Sequence, residues 1–199
     1  MTAKTLEFIF DFASPNAYLA YQVIPALLER TGATLQLNPC LLGGIFKASG
    51  NQAPMVAFGG VKGKLAYEML ETQRFVAKHG LSRFRINPHF PVNTLMIMRA
   101  AAAAELDGRL IPYVETVLPA MWEEGMKMDD PAVAQGVLDK AGLGDLLPKT
   151  QDDAVKARLI ANTQAAVDRG VFGIPTFFVG DEIFFGKERL GQVEEALKD

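Results

Sequence analysis

Ser14 is the residue whose sequence surroundings are best suited to chemistry. It opens the tetrad Ser14-Pro15-Asn16-Ala17, between an apolar stretch typical of a strand and a pattern typical of a helix. The first N–H groups of a helix have no intrahelical partner, and together with the helix dipole they favour an anion. Ser14 is therefore either an ordinary helix N-cap or a hydrogen-bond donor to an anionic ligand.

Two loops offer further ligand-binding groups. In Gly173-Ile174-Pro175-Thr176, a cis bond before Pro175 would turn the N–H and C=O of Ile174 toward a peptide-like ligand, and a trans loop is the alternative. Gly186-Lys187-Glu188-Arg189 begins a predicted helix and carries two cations and one carboxylate. That mixture suits a γ-glutamyl group, which has one ammonium and one carboxylate. A solvated, charged helix start is the alternative.

Three polar side chains occur in loops that adjoin the predicted helical region. Lys47 and Asn51 follow the second predicted strand, and Asn51 is either a turn residue or a group that orients a ligand through its amide. Asn93 ends a loop with two prolines and is either a pocket residue or the N-cap of the next helix. Trp122, the only tryptophan, is expected in the core or in a pocket wall.

The cysteine count restricts the possible chemistry. Cys40 is the only cysteine, which excludes an intramolecular disulfide, a two-cysteine redox cycle and a cysteine-rich metal site, and no metal is expected. Within its apolar stretch, Cys40 is predicted to be a small buried hydrophobe. A serine hydrolase would need a general base, and the two histidines, His79 and His89, lie far along the chain. Without a G-x-S-x-G motif a hydrolase is weakly supported, and His89 stays open as its base.

Charge and hydropathy indicate the class of partner and the location. The 199 residues carry a net charge of −3 with dispersed Lys and Arg, so neither nucleic acid nor an anionic membrane is expected as a partner. No secretory signal pattern and no apolar run long enough to cross a bilayer are visible, which predicts a cytoplasmic location.

The hydrophobic periodicity predicts an order of elements. A right-handed βαβ unit comes first, a mostly helical block follows, and an αββα unit ends the chain. The predicted strands are 6–12, 34–37, 176–179 and 182–185, and the main predicted helices are 15–30, 60–78, 93–106, 111–124, 131–141, 152–169 and 188–197. The Gly180-Asp181 pair predicts a hairpin between the last two strands.

This order resembles an α/β, thioredoxin-like fold of the DsbA and kappa type with a large all-helical insertion. Residues 1–42 and 151–199 would form the thioredoxin-like domain and residues 43–150 the helical insertion. In that fold Pro175 corresponds to the cis-proline that faces a C-x-x-C tetrad, and here the Ser14 tetrad replaces the cysteines. A thiol-enzyme scaffold without cysteines in its tetrad suggests that the sulfur is supplied by glutathione.

Five motifs in order resemble the 2-hydroxychromene-2-carboxylate isomerase family, which is similar to kappa-class glutathione transferases. They are F-D-F-A-S-P-N-A-Y-L-A, L-L-G-G-I-F-K-A-S-G-N, F-P-V-N-T, V-F-G-I-P-T-F-F-V and F-F-G-K-E-R-L. The resemblance implies that Ser14 is the catalytic residue at the glutathione sulfur and that Ile174 is a backbone clamp on glutathione. It also implies a γ-glutamyl site formed by Gly186, Lys187, Glu188 and Arg189, with Lys47 near glutathione. Asn51 and Asn93 would lie on the substrate side. Glu188 replaces an aspartate that is usual in the family.

Three functions follow as hypotheses. The first is a glutathione-dependent isomerase that acts on a small aromatic compound in a degradation pathway. By resemblance, it would work through reversible thiolate addition, ring opening and elimination. The second is a kappa-like glutathione transferase or peroxidase, and the third is a redox-silent DsbA-like binding protein. The resemblance also agrees with a homodimer, the commonest closed assembly.

Overall fold

The computed structural model describes residues 3–198. Within that range the strands are β1 (Thr5–Phe10), β2 (Thr34–Pro39), β3 (Thr176–Val179) and β4 (Glu182–Phe185). The α-helices of the same range are α1 (Pro15–Thr31), α2 (Leu42–Ser49), α3 (Pro54–Ala57), α4 (Lys64–His79), α5 (Leu95–Leu106), α6 (Leu110–Trp122), α7 (Pro131–Lys140), α8 (Asp153–Asp168) and α9 (Leu190–Lys198). Short 3-10 turns cover Gly144–Leu146, Pro148–Gln151 and Lys187–Arg189.

The four strands form one mixed sheet in the order β2-β1-β3-β4. β1 and β2 are parallel, whereas β3 pairs antiparallel with both β1 and β4. Phe8 on β1 stacks on Phe177 of β3 with 5.3 Å between ring centroids, in the buried layer under α1 and α9. This arrangement confirms the predicted thioredoxin-like fold and brings the end of β1 beside the start of β3.

The βαβ unit forms for local reasons that are visible in the sequence. Ser14 caps α1, and Pro15 occupies the first helical position, where its missing N–H would have no partner. Gly32 ends the helix in the left-handed region at φ 68°, and its N–H donates to the Leu28 carbonyl. The predicted hairpin is also confirmed, because Val179 pairs with Glu182 across Gly180 and Asp181.

The predicted helices all exist, but some of their ends differ. The helix predicted from residue 60 begins at Lys64, because Gly63 has φ 83° and a helix cannot continue through that backbone conformation. The helix predicted from residue 188 begins at Leu190, after a 3-10 turn. The separate short helices α2 and α3 were not predicted from the periodicity.

All four strands lie outside residues 43–150, and the described part of that segment contains only helices, 3-10 turns and loops. The division into a thioredoxin-like domain and a helical insertion stays a prediction. No helix in the described range is both long and apolar enough to cross a bilayer.

The helical segment is attached to the sheet at the turn before Ser14. Trp122 is fully buried at the end of α6, which places it in the core, and its indole N–H donates a 3.0 Å hydrogen bond to the Phe12 carbonyl. The helical segment therefore contacts the same turn that positions the Ser14 tetrad.

Candidate functional site

Ser14 is a helix N-cap, one of the two roles that its sequence left open, and its hydroxyl also contacts the proline loop. Its hydroxyl oxygen accepts the Ala17 N–H at 3.2 Å, so it is the N-cap of α1. The same hydroxyl donates to the carbonyl oxygen of Ile174 at 3.3 Å, across 160 positions of the chain. Ser14 is buried, and its side chain therefore lies between the helix N-terminus and the proline loop.

The proline loop has the cis conformation, one of the two that the sequence left open. The Ile174–Pro175 bond is cis, and so is Phe90–Pro91, which was not predicted. The Pro175 carbonyl accepts the Gly186 N–H at 2.9 Å, which joins the proline loop to the start of the segment 186–189. Ser14, Ile174 and Gly186 are thus brought together by direct or neighbouring hydrogen bonds.

Asp11 fixes the turn that carries Ser14, and it was not predicted. Its backbone carbonyl accepts the Ser14 N–H at 3.1 Å. Its fully buried carboxylate accepts three further bonds, from the Ala13 N–H at 2.9 Å, the Leu42 N–H at 2.7 Å and the Thr94 hydroxyl at 2.7 Å. One side chain therefore connects the end of β1 to the starts of α2 and α5.

Burial and hydrogen bonding have opposite effects on the pKa of the Asp11 carboxyl. Burial raises the pKa of its carboxyl above the ordinary value, whereas the bonds from Ala13, Leu42 and Thr94 lower it. Because all three partners are donors, the arrangement satisfies an ionised carboxylate rather than a protonated one.

The hydrolase alternative lacks a general base at Ser14. Within residues 3–198, the Ser14 side chain makes no hydrogen bond to a histidine or a carboxylate. His79 lies on α4, with its ring 4.4 Å from that of Phe75. Ser14 therefore does not belong to a nucleophile–base pair of the kind that acyl transfer requires.

Cys40 is buried, as predicted. It is fully buried, and its thiol donates to the Asn162 carbonyl with 3.4 Å between sulfur and oxygen. Burial raises the pKa of the Cys40 thiol well above its ordinary value, which suppresses the reactive thiolate.

Lys187 and Glu188 lie beside a cavity rather than at the Ser14 hydroxyl. The buried Lys187 ammonium pairs with the Glu188 carboxylate and lies 5.5 Å from the ring centroid of Phe75 on α4. Arg189 is exposed, and its N–H donates to the Gly186 carbonyl at 3.1 Å. Of the four residues predicted at the γ-glutamyl site, Gly186 alone is joined by a hydrogen bond to the proline loop.

That cavity has a volume of about 490 Å³ and lies between α1, α4 and α9. Charged side chains from all three elements line it, including Arg30, Glu71 and Glu194. Its lining residues on α1 begin at Val23, nine positions beyond Ser14, which corresponds to roughly 13 Å along a helix at 1.5 Å per residue. The cavity therefore begins well away from the serine.

Asn51 is hydrogen-bonded to the segment just before the proline loop. Its amide donates to the Phe172 carbonyl at 2.8 Å, two residues before Ile174. The exposed Phe172 ring packs against the exposed ring of Phe185 at 4.6 Å, so an aromatic pair borders the loop. Lys47 is exposed in the last turn of α2, four positions before Asn51.

Asn93 lies apart from the other candidates. Its carbonyl oxygen accepts the Leu95 N–H at 3.0 Å, so it supports the start of α5. It also borders a cavity of about 330 Å³ that contains Arg99 and Asp129. The neighbouring residue Thr94, through its bond to Asp11, provides the link from this helix end to the Ser14 turn.

Sequence reasoning missed Asp11, Thr94 and the Phe172–Phe185 pair. For Asp11 a signal existed, since a carboxylate between two phenylalanines in F-D-F is unusual inside an apolar stretch. For the other residues there was no local signal, because their partners lie far away along the chain.

The chain is similar to known proteins over nearly its whole length. The family model of the DSBA-like thioredoxin domain matches residues 5–198. A 2-hydroxychromene-2-carboxylate isomerase from Pseudomonas putida is 32% identical over 198 residues, which cover 96% of this chain and 93% of that protein. The chain belongs to the 2-hydroxychromene-2-carboxylate isomerase family, within the DsbA-like thioredoxin proteins.

A solved structure and a more distant relative are also similar to this chain. The solved structure of a 2-hydroxychromene-2-carboxylate isomerase is similar with a TM-score of 0.83 at 30% identity, covering 97% of this chain and 94% of that chain. A glutathione S-transferase kappa 1 from Rattus norvegicus is 28% identical, covering 94% of this chain and 88% of that protein. The similarity to an isomerase and to a kappa transferase therefore extends over most of each of those chains.

Proposed function

We propose that this protein is a glutathione-dependent isomerase of the 2-hydroxychromene-2-carboxylate type. The observation that carries the proposal is the hydrogen bond from the Ser14 hydroxyl to the Ile174 carbonyl, which joins the two groups expected to hold the ligand. The names of the relatives support the isomerase assignment, and those of the kappa transferases support glutathione.

The residues around Ser14 fit a thiolate tripeptide. Within residues 3–198, the Asn16 N–H at the start of α1 has no hydrogen-bond partner, which leaves a donor open beside the Ser14 hydroxyl. The Ile174 carbonyl is held by a single 3.3 Å bond to Ser14, which is long for a hydroxyl donor. A peptide N–H of glutathione can replace the hydroxyl at that carbonyl and leave the hydroxyl to donate to sulfur.

Each group of the chain then has a defined task. Bound glutathione supplies a thiolate that adds reversibly to the conjugated substrate. Ser14 donates to the sulfur and stabilises its negative charge, Ile174 aligns the peptide backbone, and Gly186 to Arg189 face the γ-glutamyl end. Asn51, Asn93 and Lys47 are proposed on the substrate and glutathione sides as the sequence predicted. The contribution of the protein is to orient the reactants and to stabilise charge.

Ser14→Ala tests the assigned role. A hydrogen bond to a charged group contributes about 1.5–3 kcal/mol, so Ser14 should lower the pKa of the bound thiol by about one to two units from its free value of roughly 8.5. Titration of thiolate absorbance in the complex measures this pKa, and calorimetry measures affinity. We expect Ser14→Ala to lose the pKa shift and most turnover.

A matched control separates this effect from helix capping. Asp130 caps α7 by accepting the N–H groups of Ala132 and Val133, away from the Ser14 site. Asp130→Ala should lower stability by a similar amount, typically ~1 kcal/mol, and leave the thiol pKa unchanged. Unchanged turnover and an unchanged thiol pKa in Ser14→Ala would refute the assignment.

A kappa-like transferase or peroxidase is the second candidate, favoured by the similarity to the rat kappa 1 protein. It would share the sulfur site and release a conjugate or oxidised glutathione. An isomerase consumes no net glutathione, so quantifying glutathione and product after many turnovers separates the two activities.

A redox-silent binding protein is the remaining alternative. It would bind no glutathione, and calorimetric titration with glutathione alone identifies it. We also propose a cytoplasmic location, because reducing compartments rich in glutathione supply the ligand. The single cysteine of the chain allows no intramolecular disulfide, which would be typical of an oxidising compartment.

A further inference from the structure

The cavity bordered by Asn93 contains two opposite charges, and it is called the acid cavity here. Its volume is about 330 Å³, and it lies between the start of α5, the loop that joins α6 to α7 and the 3-10 turn Pro148–Gln151. Its charged residues are Arg99 on α5 and Asp129 in the loop. Ligand pockets measure roughly 300–1,000 Å³, so this cavity has room for a small molecule only.

Arg99 is an arginine that the fold does not use for an ion pair. It is partly buried, and within residues 3–198 its guanidinium forms neither a hydrogen bond nor a salt bridge. Elsewhere the arginines that tie segments together each contact a carboxylate, as do Arg30, Arg109, Arg158 and Arg169. The guanidinium of Arg99 therefore offers its fork of N–H donors to the cavity.

Asp129 is the matching unpartnered acceptor. Its Oδ1 atom is fully buried and has no hydrogen-bond donor among the described residues. The half-exposed Lys127 ammonium lies 3.4 Å from Oδ1 but forms no hydrogen bond with it. A buried acceptor without a donor has lost its hydration without compensation. Because the torsion about the Cβ–Cγ bond of an aspartate is soft, the carboxylate can turn to meet a donor in the cavity.

The two charges restrict the class of ligand. In the described part of the chain no ion pair joins Arg99 to Asp129, although both line the same cavity. A ligand between them has to accept from the guanidinium and donate to the carboxylate. Phosphate would place its second negative charge against Asp129, and a metal ion would face the guanidinium of Arg99. Neither a multiply charged anion nor a simple cation therefore suits the cavity.

The remaining wall of the cavity is apolar on α5. Leu95 and Met96 are partly buried and line it beside Arg99. The flexible thioether chain of a methionine adapts to different apolar shapes. Asn93 adds a polar group at the rim, because its carbonyl oxygen is occupied by the Leu95 N–H and its NH₂ group remains a donor.

We propose that the acid cavity binds a small carboxylic acid that carries a hydroxyl or ammonium group beside the carboxylate and an apolar side chain. The acid group accepts two hydrogen bonds from the fork of Arg99, which matches a carboxylate in shape. The neighbouring hydroxyl or ammonium donates to Asp129, and the apolar part packs on Leu95 and Met96. The proposal does not depend on glutathione, since Ser14, Ile174 and Gly186 do not line this cavity.

Three compounds with one carbon skeleton test the ligand class by calorimetric titration. Phenylacetate has no donor beside its carboxylate, mandelate has a hydroxyl there, and phenylglycine has an ammonium. We expect mandelate, phenylglycine or both to bind about tenfold or more tightly than phenylacetate, since a hydrogen bond to a charged group is worth that factor. The preferred compound identifies which donor Asp129 accepts.

Two variants test the residues. Arg99→Met keeps the length of the stem, and it should weaken binding of the preferred compound about tenfold or more. Asp129→Asn keeps the shape of the side chain, and it should reduce the preference over phenylacetate. Arg85→Met is the matched control, because Arg85 is exposed and does not line the cavity, and it should bind as the parent protein does.

Nuclear magnetic resonance locates the ligand on the unchanged protein, so that misfolding of a variant cannot decide the outcome. Addition of the preferred compound should shift the backbone amide signals of residues 93–99 and 150–151, and glutathione at saturation should not displace it. Equal affinity for all three compounds, no saturable binding at millimolar concentration, displacement by glutathione, or shifts confined to residues 14–17 would each overturn the proposal.

Discussion

The Thr94 hydroxyl donates a 2.7 Å hydrogen bond to the buried carboxylate of Asp11, which joins the start of α5 to the turn before Ser14. Through the Asp11 carbonyl, which accepts the Ser14 N–H, the position of the proposed catalytic serine depends on a residue 80 positions away. The helical segment thus helps to build the site as well as to surround it.

Thr94→Val tests this connection, since it keeps the shape of the side chain and removes the donor. We expect a loss of about 1.5–3 kcal/mol in the free energy of unfolding, because a buried carboxylate loses a charge-assisted bond. Urea unfolding measures it. Thr116→Val is the control, since Thr116 is partly exposed on α6 and its hydroxyl donates to the neutral Pro112 carbonyl rather than to a carboxylate. Equal losses in both variants would contradict the role of Thr94.

Gly186→Ala should destabilise the connection between β4 and α9. Gly186 has φ 94° and ψ 149°, a backbone region that is essentially restricted to glycine, so alanine should cost about 1–3 kcal/mol. We also expect weaker glutathione binding, because the Gly186 N–H holds the Pro175 carbonyl. Urea unfolding and calorimetry measure the two effects.

Gly191→Ala is the control for that substitution and should have the opposite sign. Gly191 lies within α9, and a Cβ there would meet no atom within 4 Å. Alanine should therefore raise stability by roughly 0.5–1 kcal/mol. If both variants shift the urea midpoint in the same direction, the conformational argument for Gly186 is wrong.

Cys40 should take no part in catalysis. Iodoacetamide should leave the native protein unmodified and fully active, because the thiol is buried and its raised pKa disfavours the thiolate. Intact-mass spectrometry should show a single adduct only after denaturation. A native adduct accompanied by loss of activity would show that the chain uses its own sulfur.

Glu194 should contribute stability that disappears in acid. Hydrogen bonds from Arg30 and Lys198 lower the pKa of its carboxyl from 4.5 to about 2. A lowered folded-state pKa gives stability that is present above pH 4.5 and is lost as the pH falls through about 2.

Glu194→Gln should therefore be less stable than the parent protein at pH 7, and the difference should shrink between pH 4.5 and 2. Urea unfolding at several pH values measures the difference. Glu195→Gln is the control, because within residues 3–198 Glu195 forms no ion pair. A difference that is independent of pH would show that the carboxylate acts through packing alone.

The sequence predicted those parts of the fold that depend on local signals. Ser14, Pro15 and Gly32 mark the two ends of α1, and Gly180 marks the hairpin, because capping and turn chemistry involve residues that are close in the chain. The short helices α2 and α3 escaped prediction because eight and four residues are too few to establish a period.

The site was predictable only in part, for the same physical reason. Ser14 and Ile174 were identified from motifs, and their proximity was expected from the fold that the motifs resemble. The bonds of Asp11 to Leu42 and Thr94 could not be predicted, since each joins segments whose approach is set by packing of the whole molecule. The contact between the Lys187 ammonium and the Phe75 ring on α4 could not be predicted for the same reason.

The bond between the Trp122 indole and the Phe12 carbonyl places the intrinsic fluorophore of the protein next to the turn that carries Ser14. Because the chain has a single tryptophan, its fluorescence originates beside the turn that carries Ser14. Indole emission depends on hydrogen bonding and polarity at the ring. Ligand arrival at the serine can thus be followed in real time by stopped-flow fluorescence, without any label.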